Sequence, residues 1–418
     1  MAEKIRIGLP ESAFPFMPPA SKFLAYLGMS GDIAGLVNKL SHRPEQPLLI
    51  DPKTVRKAVR EGVSPRSFAQ IKDLLDSVAT PEINEYINSS YLLPWMETRQ
   101  HQNGLSWLFI ARGEHLRIFQ DPRPERLTEQ FIKRRAEQEM ELIQTGQEIR
   151  ENSPSPEVFD QRLCEYLIDF FKQHTEVEPA LIDQGLQVWA ASKSRMAQPH
   201  KDEAGLLYGL YTRLRIDFYY QLLCNLSLDL IQWFKESDGI GKHEQWLIEN
   251  SLFGEMVPTS DGRNLTLPRE QLIDTWRQNA APGGGALSWA KIAQSLPDPQ
   301  GIDPEKQSLA PGQTRDDRKA AISKNKQSRL REWREGTRPQ PDQLEQFVQN
   351  LAPDGADVPS LIMIANIACS WGAFILDELA LFEDYNLTGA LHETRPAFAL
   401  YPSYWADYKT QAAKIMTA

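Results

Sequence analysis

Cysteine is scarce in this sequence, and the positions of the few cysteines exclude the common cysteine-based sites. The 418 residues contain three, Cys164, Cys224 and Cys369, which are far apart. An odd number at such spacing favours neither a disulfide framework nor a zinc site. Because disulfides belong to oxidising compartments, a chain with so few cysteines is expected in a reducing one. We therefore predict a cytoplasmic protein.

Long apolar runs without charges are also lacking. The N-terminus has no uninterrupted apolar segment followed by a small-residue cleavage site, so no signal peptide is predicted. The two most apolar stretches are residues 204–234, with Arg213, Arg215, Asp217 and Asp229, and residues 361–382, with Asp377 and Glu378. Charges at such depths are costly in lipid. We therefore predict two long helices buried in a helical core, and no membrane association.

Motifs of catalytic, metal and cofactor sites are missing as well. The seven histidines are scattered, without His-Glu-x-x-His or Cys-x-x-Cys, and the glycines at 283–285 lack the Lys-Ser/Thr of a phosphate loop. There is no Gly-x-Ser-x-Gly nucleophile motif. We predict no catalytic residue, no metal site and no cofactor. An enzyme built on Arg213, Arg215, Asp217 and the histidines is the weakest hypothesis.

Signals for β-strands are few, and those for helices dominate. The best strand candidates form a predicted small β-hairpin near residues 104–119. Elsewhere apolar residues recur every three or four positions, so we predict a mainly α, multi-domain protein. Clusters of turn residues divide the chain into four predicted segments, residues 1–80, 81–280, 281–355 and 356–418. Within the third segment, the Pro- and Gly-rich composition predicts a long loop at 296–322.

One segment of the chain is weakly repeated. Arg-Glu-Gly occurs at 60–62 and at 334–336, each time with a hydroxyl residue eight positions before the glycine. After a following proline, apolar residues recur at matched positions, which are Phe68, Ile71 and Leu75 in the first copy and Leu344, Phe347 and Leu351 in the second. Glycine readily adopts the left-handed conformation that ends a helix. Each copy is therefore predicted as a basic helix, a glycine turn and an amphipathic helix.

An apolar helix is predicted ahead of each copy, and this order resembles the λ-repressor/Cro-like (XRE-type) helix-turn-helix family. In the second copy the matching sequences are WAKIAQSL for the scaffold helix, KNKQSRLREWREG for the recognition helix and TRPQPDQLEQFVQNLA for the next helix. The family commonly has an aromatic or apolar residue three positions before the glycine, where Trp333 stands. The resemblance covers residues 286–351 and, more weakly, 33–75, and does not extend to 81–280.

The resemblance implies that the start of each recognition helix faces the major groove of double-stranded DNA. The nucleic-acid-binding residues would then be Lys53, Thr54, Arg56, Lys57 and Arg60 in the first copy, and Ser323, Lys324, Asn325, Lys326, Gln327, Ser328 and Arg329 in the second. The family's turn between the scaffold and recognition helices is short. The long loop at 296–322 departs from that pattern.

Charge is distributed unevenly along the chain. The whole sequence has a net charge of -10, which is the wrong sign for a typical nucleic-acid binder. Residues 312–340, however, contain nine Lys or Arg and four Asp or Glu, and residues 51–72 contain six and two. Such basic islands can still contact phosphates although the rest of the chain is acidic.

Two further hypotheses are therefore stronger than the enzyme. The first is a bacterial or mobile-element DNA-binding protein, acting as a transcriptional regulator or as a subunit of a larger nucleic-acid complex. Its partners would be double-stranded DNA and another protein, or a second copy of itself, bound through the middle or C-terminal region. The second is an α-helical structural or interaction subunit, in which the helix-turn-helix-like units only pack.

Overall fold

The computed structural model describes residues 16–19, 23, 54, 64–67, 69–70, 107, 126–194, 200–236, 244–260, 264–279, 285–297, 314–337, 339–352 and 358–417. Within them lie twelve α-helices: α1 (Leu127–Glu151), α2 (Pro156–His174), α3 (Pro179–Ser194), α4 (Lys201–Glu236), α5 (Glu244–Asn250), α6 (Pro268–Asn279), α7 (Trp289–Gln294), α8 (Arg315–Arg334), α9 (Pro341–Leu351), α10 (Val358–Asp384), α11 (Thr388–Thr394) and α12 (Tyr401–Thr417). Short 3₁₀ helices occur at Gly254–Met256 and Arg395–Ala399. The prediction of a mainly α protein is confirmed.

Extended structure is limited, over the described ranges, to two strands of two residues each. Strands β1 (Thr259–Ser260) and β2 (Leu265–Thr266) pair antiparallel. Of the predicted hairpin at 104–119, only Trp107 lies within the described residues, and it is helical. The strand prediction is wrong at this position. Trp107 is fully buried against Phe218, with ring centroids 4.9 Å apart, and such tertiary packing overrides the strand preference of an aromatic residue.

The contacts of the chain divide it into two compact units. The described part of the first unit contains α1 to α5 and, from Tyr404, the body of α12. The described part of the second unit lies between Leu252 and Ser403 and contains α6 to α11. This division differs from the predicted boundaries at 280 and 355. Helix α6 belongs with the predicted second helix-turn-helix-like unit because its Leu272 and Ile273 are part of that unit's core.

The first unit is built around α4, which is buried along most of its length. Helices α1 and α3 pack against α4, and α2 packs against both α1 and α3. Two of its charged residues, Asp217 and Asp229, have partners on α1. The Asp229 carboxylate accepts hydrogen bonds from the backbone N–H groups of Leu127 (2.8 Å) and Thr128 (2.9 Å), at the start of α1. Asp229 therefore satisfies backbone donors that a helix start leaves open.

The second unit has a compact core made by short helices packed on α10. Helices α6 and α9 both contact α10, and α8 contacts α6 and α7. The buried core residues are Leu272, Ile273, Ile292, Ala293, Leu296, Leu330, Trp333, Leu344, Phe347, Val348, Ala365, Ala368 and Cys369. The residues of the predicted second helix-turn-helix-like unit therefore pack together.

Helix α10 is the one described helix that is long and apolar enough to cross a membrane. An 18-residue stretch within Leu361–Asp384 has a mean hydropathy of 1.4, and half of that stretch is buried inside the protein. The core helix of a soluble protein can have the same length and apolar composition. Because Ala365, Ala368 and Cys369 of α10 pack in the core of the second unit, packing inside the protein accounts for their apolar character.

Candidate nucleic-acid interface

The helix that carries the predicted DNA contacts, α8, begins at Arg315 because a capping box forms before it. The Thr314 hydroxyl accepts a hydrogen bond from the Asp317 N–H (3.1 Å), and the Asp317 carboxylate accepts one from the Thr314 N–H (3.0 Å). Two backbone donors at the helix start are thereby satisfied. The loop predicted at 296–322 is therefore too long, because residues 315–322 are helical. The local cap outweighs the polar composition from which the loop was predicted.

The other end of α8 is set by Gly336. Its φ angle is 119°, in the region that favours glycine. The Gly336 N–H donates to the Trp333 carbonyl at 3.3 Å, and the Thr337 N–H donates to the Glu332 carbonyl at 2.9 Å. This pair of bonds is the Schellman motif, which satisfies the last carbonyls of a helix. The predicted glycine turn of the second copy is confirmed.

Two apolar residues near its end attach α8 to the core of the second unit. Leu330 and Trp333 are each 2% exposed, whereas the other side chains of the helix are exposed or half-buried. The Trp333 ring meets the Phe347 ring edge-to-face, with centroids 5.6 Å apart. Leu344 and Phe347 are buried, and Leu351 packs at the edge of the core. The predicted apolar face of α9 is confirmed.

Trp289, the first residue of α7, ties this helix to both of its neighbours. The guanidinium groups of Arg334 and Arg277 lie 3.9 Å and 4.8 Å from the centre of its ring. Arg334 also pairs with Glu270 of α6 at 2.6 Å. Guanidinium groups over an indole ring are attracted to its electron-rich face. Arg334 is thus occupied in holding α6, α7 and α8 together.

The predicted binding residues of the second copy lie in the middle of α8 and not at its start. Lys324, Asn325 and Gln327 are exposed. The others, Ser323, Lys326, Ser328 and Arg329, are half-buried. These residues lie in the middle because α8 begins after the cap at Thr314, about two helical turns before Ser323.

Several of these side chains make hydrogen bonds within the protein. The Ser323 hydroxyl accepts from the Gln294 side-chain amide at 2.9 Å, and the Lys326 ammonium donates to the Gln294 carbonyl at 3.1 Å. Gln327 donates to the same Ser323 hydroxyl at 3.3 Å. Ser323 and Lys326 therefore link α8 to the end of α7.

The charges of α8 are segregated along its length. Its first turn holds two exposed carboxylates, Asp316 and Asp317. Hydrogen bonds from the Thr314 side chain and backbone lower the pKa of Asp317, so it is charged at neutral pH. Residues 318–331 then contain six basic residues and no acidic one. These six are Arg318, Lys319, Lys324, Lys326, Arg329 and Arg331.

Arg318, Lys319 and Arg331 are not among the predicted binding residues. Lys319 and Arg331 are exposed, and Arg331 forms an ion pair with the exposed Glu335 that is long, at 3.9 Å. The prediction leaves out Arg318 and Lys319 because its residues start at Ser323, and it leaves out Arg331 because they end at Arg329. The Thr-x-x-Asp pattern at 314–317 is the sequence signal that extends the helix and includes Lys319.

The first copy lies largely outside the described residues. Lys53, Arg56, Lys57 and Arg60 all fall there, and Thr54 alone is described as helical and half-buried. The start of its following helix is described in part. Residues 65–67 are helical, and the Ser64 hydroxyl accepts from the Ser67 N–H at 3.3 Å, as expected of a helix N-cap.

Asp217 and Arg213, two of the residues considered for an enzyme site, are engaged in the core of the first unit. Asp217 pairs with Arg135 of α1 at 2.7 Å, and both side chains are almost fully buried. The other oxygen of Asp217 accepts hydrogen bonds from Gln221 (3.0 Å) and Tyr404 (3.1 Å). Arg213 pairs with Glu178 through two hydrogen bonds of 3.1 Å each. This arrangement stabilises helix packing and uses both oxygens of the Asp217 carboxylate for it.

Three titratable groups beside this cluster, His174, Tyr404 and Tyr408, have pKa values shifted toward their neutral forms. Burial lowers the pKa of His174, and burial raises the pKa of Tyr408 to about 12. Burial and the neighbouring Asp217 also raise the pKa of Tyr404. Among the described residues, no group of three His, Cys, Asp or Glu side chains could hold a metal ion.

No protein-family model, curated protein or solved structure matches this chain. A functional assignment therefore depends on the geometry of α8 and its supporting helices.

Proposed function

We propose that the protein binds double-stranded DNA through α8. The observation that carries this proposal is the run of six basic residues at 318–331, uninterrupted by any carboxylate, on a helix whose side chains are mostly open to solvent. Basic clusters of this kind provide the phosphate contacts that dominate DNA affinity. With these contacts, the protein would act as a transcriptional regulator or as a DNA-binding subunit of a larger complex in the cytoplasm.

The surroundings of α8 support the proposal. Helices α6 to α10 form one core, with Trp333 anchoring α8 and Gly336 setting the turn into α9. A DNA-binding helix needs such a rigid support, because loosely held side chains lose entropy on binding. The order of helices also agrees with the resemblance to the λ-repressor/Cro-like family, which implies DNA binding.

A gel-shift or fluorescence-anisotropy titration with duplex DNA over a salt series tests the proposal. The variant Lys319→Ala/Lys324→Ala/Arg331→Ala removes three exposed cations of α8 without touching its core or the Gln294 contacts. We expect weaker binding and a salt slope shallower by about one for each phosphate interaction that the variant removes. Lys326 and Arg334 are left unchanged because both stabilise helix packing.

The matched control removes the same charge from the first unit. Lys133, Lys201 and Lys414 are exposed there, and their joint replacement by Ala changes the net charge equally. The control variant should keep the wild-type salt slope. Absence of salt-sensitive duplex binding by the wild type, or an equal effect of both triple variants, would contradict the proposal.

A second candidate is an α-helical interaction subunit in which these helices only pack. It is favoured by the hydrogen bonds of Ser323 and Lys326 to Gln294, which use two predicted DNA contacts to hold α7 against α8. In that case the protein would form a complex that resists high salt, because apolar contacts are not screened by ions. The salt series therefore separates the two candidates.

A further inference from the structure

The start of α8 is poorly suited to enter a DNA groove first. Three charged residues form its first turn, and two of them, Asp316 and Asp317, are exposed carboxylates. Asp317 is also fixed at the helix start by its hydrogen bonds to Thr314. Phosphates line both edges of each groove, so this end of the helix is repelled at close approach.

The central part of α8 has the opposite character. The six cations of residues 318–331 extend over roughly 20 Å of helix, at a rise of about 1.5 Å per residue. Lys324 and Arg331 are seven positions apart, so they lie on one exposed face of the helix. This face can contact several phosphates along one groove edge.

Several polar side chains suited to reading base edges are occupied within the protein. Ser323 accepts hydrogen bonds from Gln294 and Gln327, and the Ser328 hydroxyl donates to Glu332 at 3.3 Å. Base reading needs free donors and acceptors at the groove floor. Within residues 323–329, Asn325 is the exposed amide whose hydrogen-bonding groups are not already used.

From these three observations we infer that α8 lies with the side of its central part against the sugar–phosphate backbone, so that the protein binds duplex DNA irrespective of base sequence. This inference rests on the proposed function and specifies its mode. Contacts to phosphates position a protein on DNA and carry no direct sequence information. The partner is then any DNA duplex, and selection of a particular site would come from another component.

The test is selection of preferred sequences by the full-length protein from a pool of randomised duplexes, followed by affinity measurements on individual duplexes. We expect no enriched motif, and affinities for unrelated sequences that agree within about threefold, far below the specificity ratios of sequence readers. Asn325→Ala should leave this outcome unchanged. The Lys319→Ala/Lys324→Ala/Arg331→Ala variant should weaken binding to all sequences equally and reduce the salt slope.

The outcomes distinguish the inference from the proposed function. An enriched motif bound at least tenfold more tightly than random DNA would overturn the inference while leaving DNA binding intact, and its loss in Asn325→Ala would identify Asn325 as the reader. Absence of any duplex binding at low salt would overturn both. Circular dichroism and thermal unfolding of each variant confirm that a lower affinity does not come from a lost fold.

Discussion

At the scale of single residues, the best-defined interaction is the buried ion pair of Arg135 and Asp217. The two side chains are 2% and 1% exposed and lie 2.7 Å apart. Arg135 also donates to the His174 carbonyl at 2.6 Å, and its guanidinium lies 4.9 Å from the centre of the Phe16 ring. A buried charge needs such complete pairing because its removal from water is costly.

Replacing Asp217 by Ala should destabilise the first unit strongly. The change leaves Arg135 charged and buried without its counter-ion, which costs about 3–5 kcal/mol for a pair of this kind. Urea unfolding of the variant and the wild type measures the difference. The matched control is Asp183→Ala, whose partner Lys172 is 2.6 Å away in a pair with more than a third of each side chain exposed. That loss should stay within about 1 kcal/mol, and equal losses in the two variants would contradict this account.

Residue-level features could be predicted where they depend on neighbours in the sequence. The glycine turn at Gly336 follows from local spacing and is confirmed. The partner of Asp217 could not be predicted, because Arg135 is 82 positions away in the sequence. Such pairs depend on how whole helices pack, which no local pattern specifies.

At the scale of elements, α8 is a helix whose two ends are fixed by different devices. A capping box at Thr314 starts it and a Schellman motif at Gly336 ends it. Only its last turns reach the core, through Leu330 and Trp333. The first turns therefore depend on the cap and on local helix propensity for their stability.

The first turn of α8 should lose helicity in acid. Its hydrogen bonds lower the pKa of Asp317, so the carboxylate form stabilises the folded turn. This contribution is complete above the ordinary aspartate pKa of about 3.9 and is lost as the pH falls through the lower folded value. The ¹³Cα chemical shifts of residues 315–321 report the helicity. In the Asp317→Asn variant the shifts should not change with pH, and an unchanged wild type in acid would refute the role of this cap.

In the second unit, the presence of the helices could be predicted more accurately than the residues at which they begin. The helices that begin at Trp289 and Pro341 could be predicted from their apolar spacing. For α9, the proline in its first turn is a second signal. The start of α8 was misplaced because its first turns are polar and have no apolar face from which a period could be read. The proposed DNA contacts differ from the predicted ones for the same reason, since Lys324 belongs to both sets and Lys319 only to the proposed one.

At the scale of the whole molecule, the first unit includes the body of α12, which is far from α1 to α5 in the sequence. The Trp405 ring nitrogen donates to the Ile248 carbonyl at 2.9 Å, and Lys409 pairs with Glu249 at 3.0 Å. Tyr404 reaches Asp217 in the core. The predicted boundary at 355 could not anticipate this return, because turn-rich segments show where helices end and not which helices pack together.

Replacing Trp405 by Ala should therefore destabilise helices that are far away in the sequence. Trp405 is 1% exposed, and removal of such a side chain costs about 3–5 kcal/mol. Hydrogen exchange should show loss of protection in α1 and α4, and unchanged protection in α6 and α9. Trp246→Ala is the control in the same unit, because Trp246 is 38% exposed and its loss should have little effect. Equal loss of protection in both units would argue against the division.

The position of Trp405 against Ile248 also says how the second unit is joined to the first. The chain leaves the first unit after Ser251 and resumes it at Tyr404, and these two points are neighbours in space because the residues beside them are hydrogen-bonded. Residues 252–403 are therefore an insertion into the first unit, whose chain resumes at Tyr404. Among the described residues, two peptide connections attach this insertion, so a single cut in either one would leave the basic helix joined to the first unit. Equally, a short linker across the two points could replace residues 252–403 and leave the first unit a continuous chain.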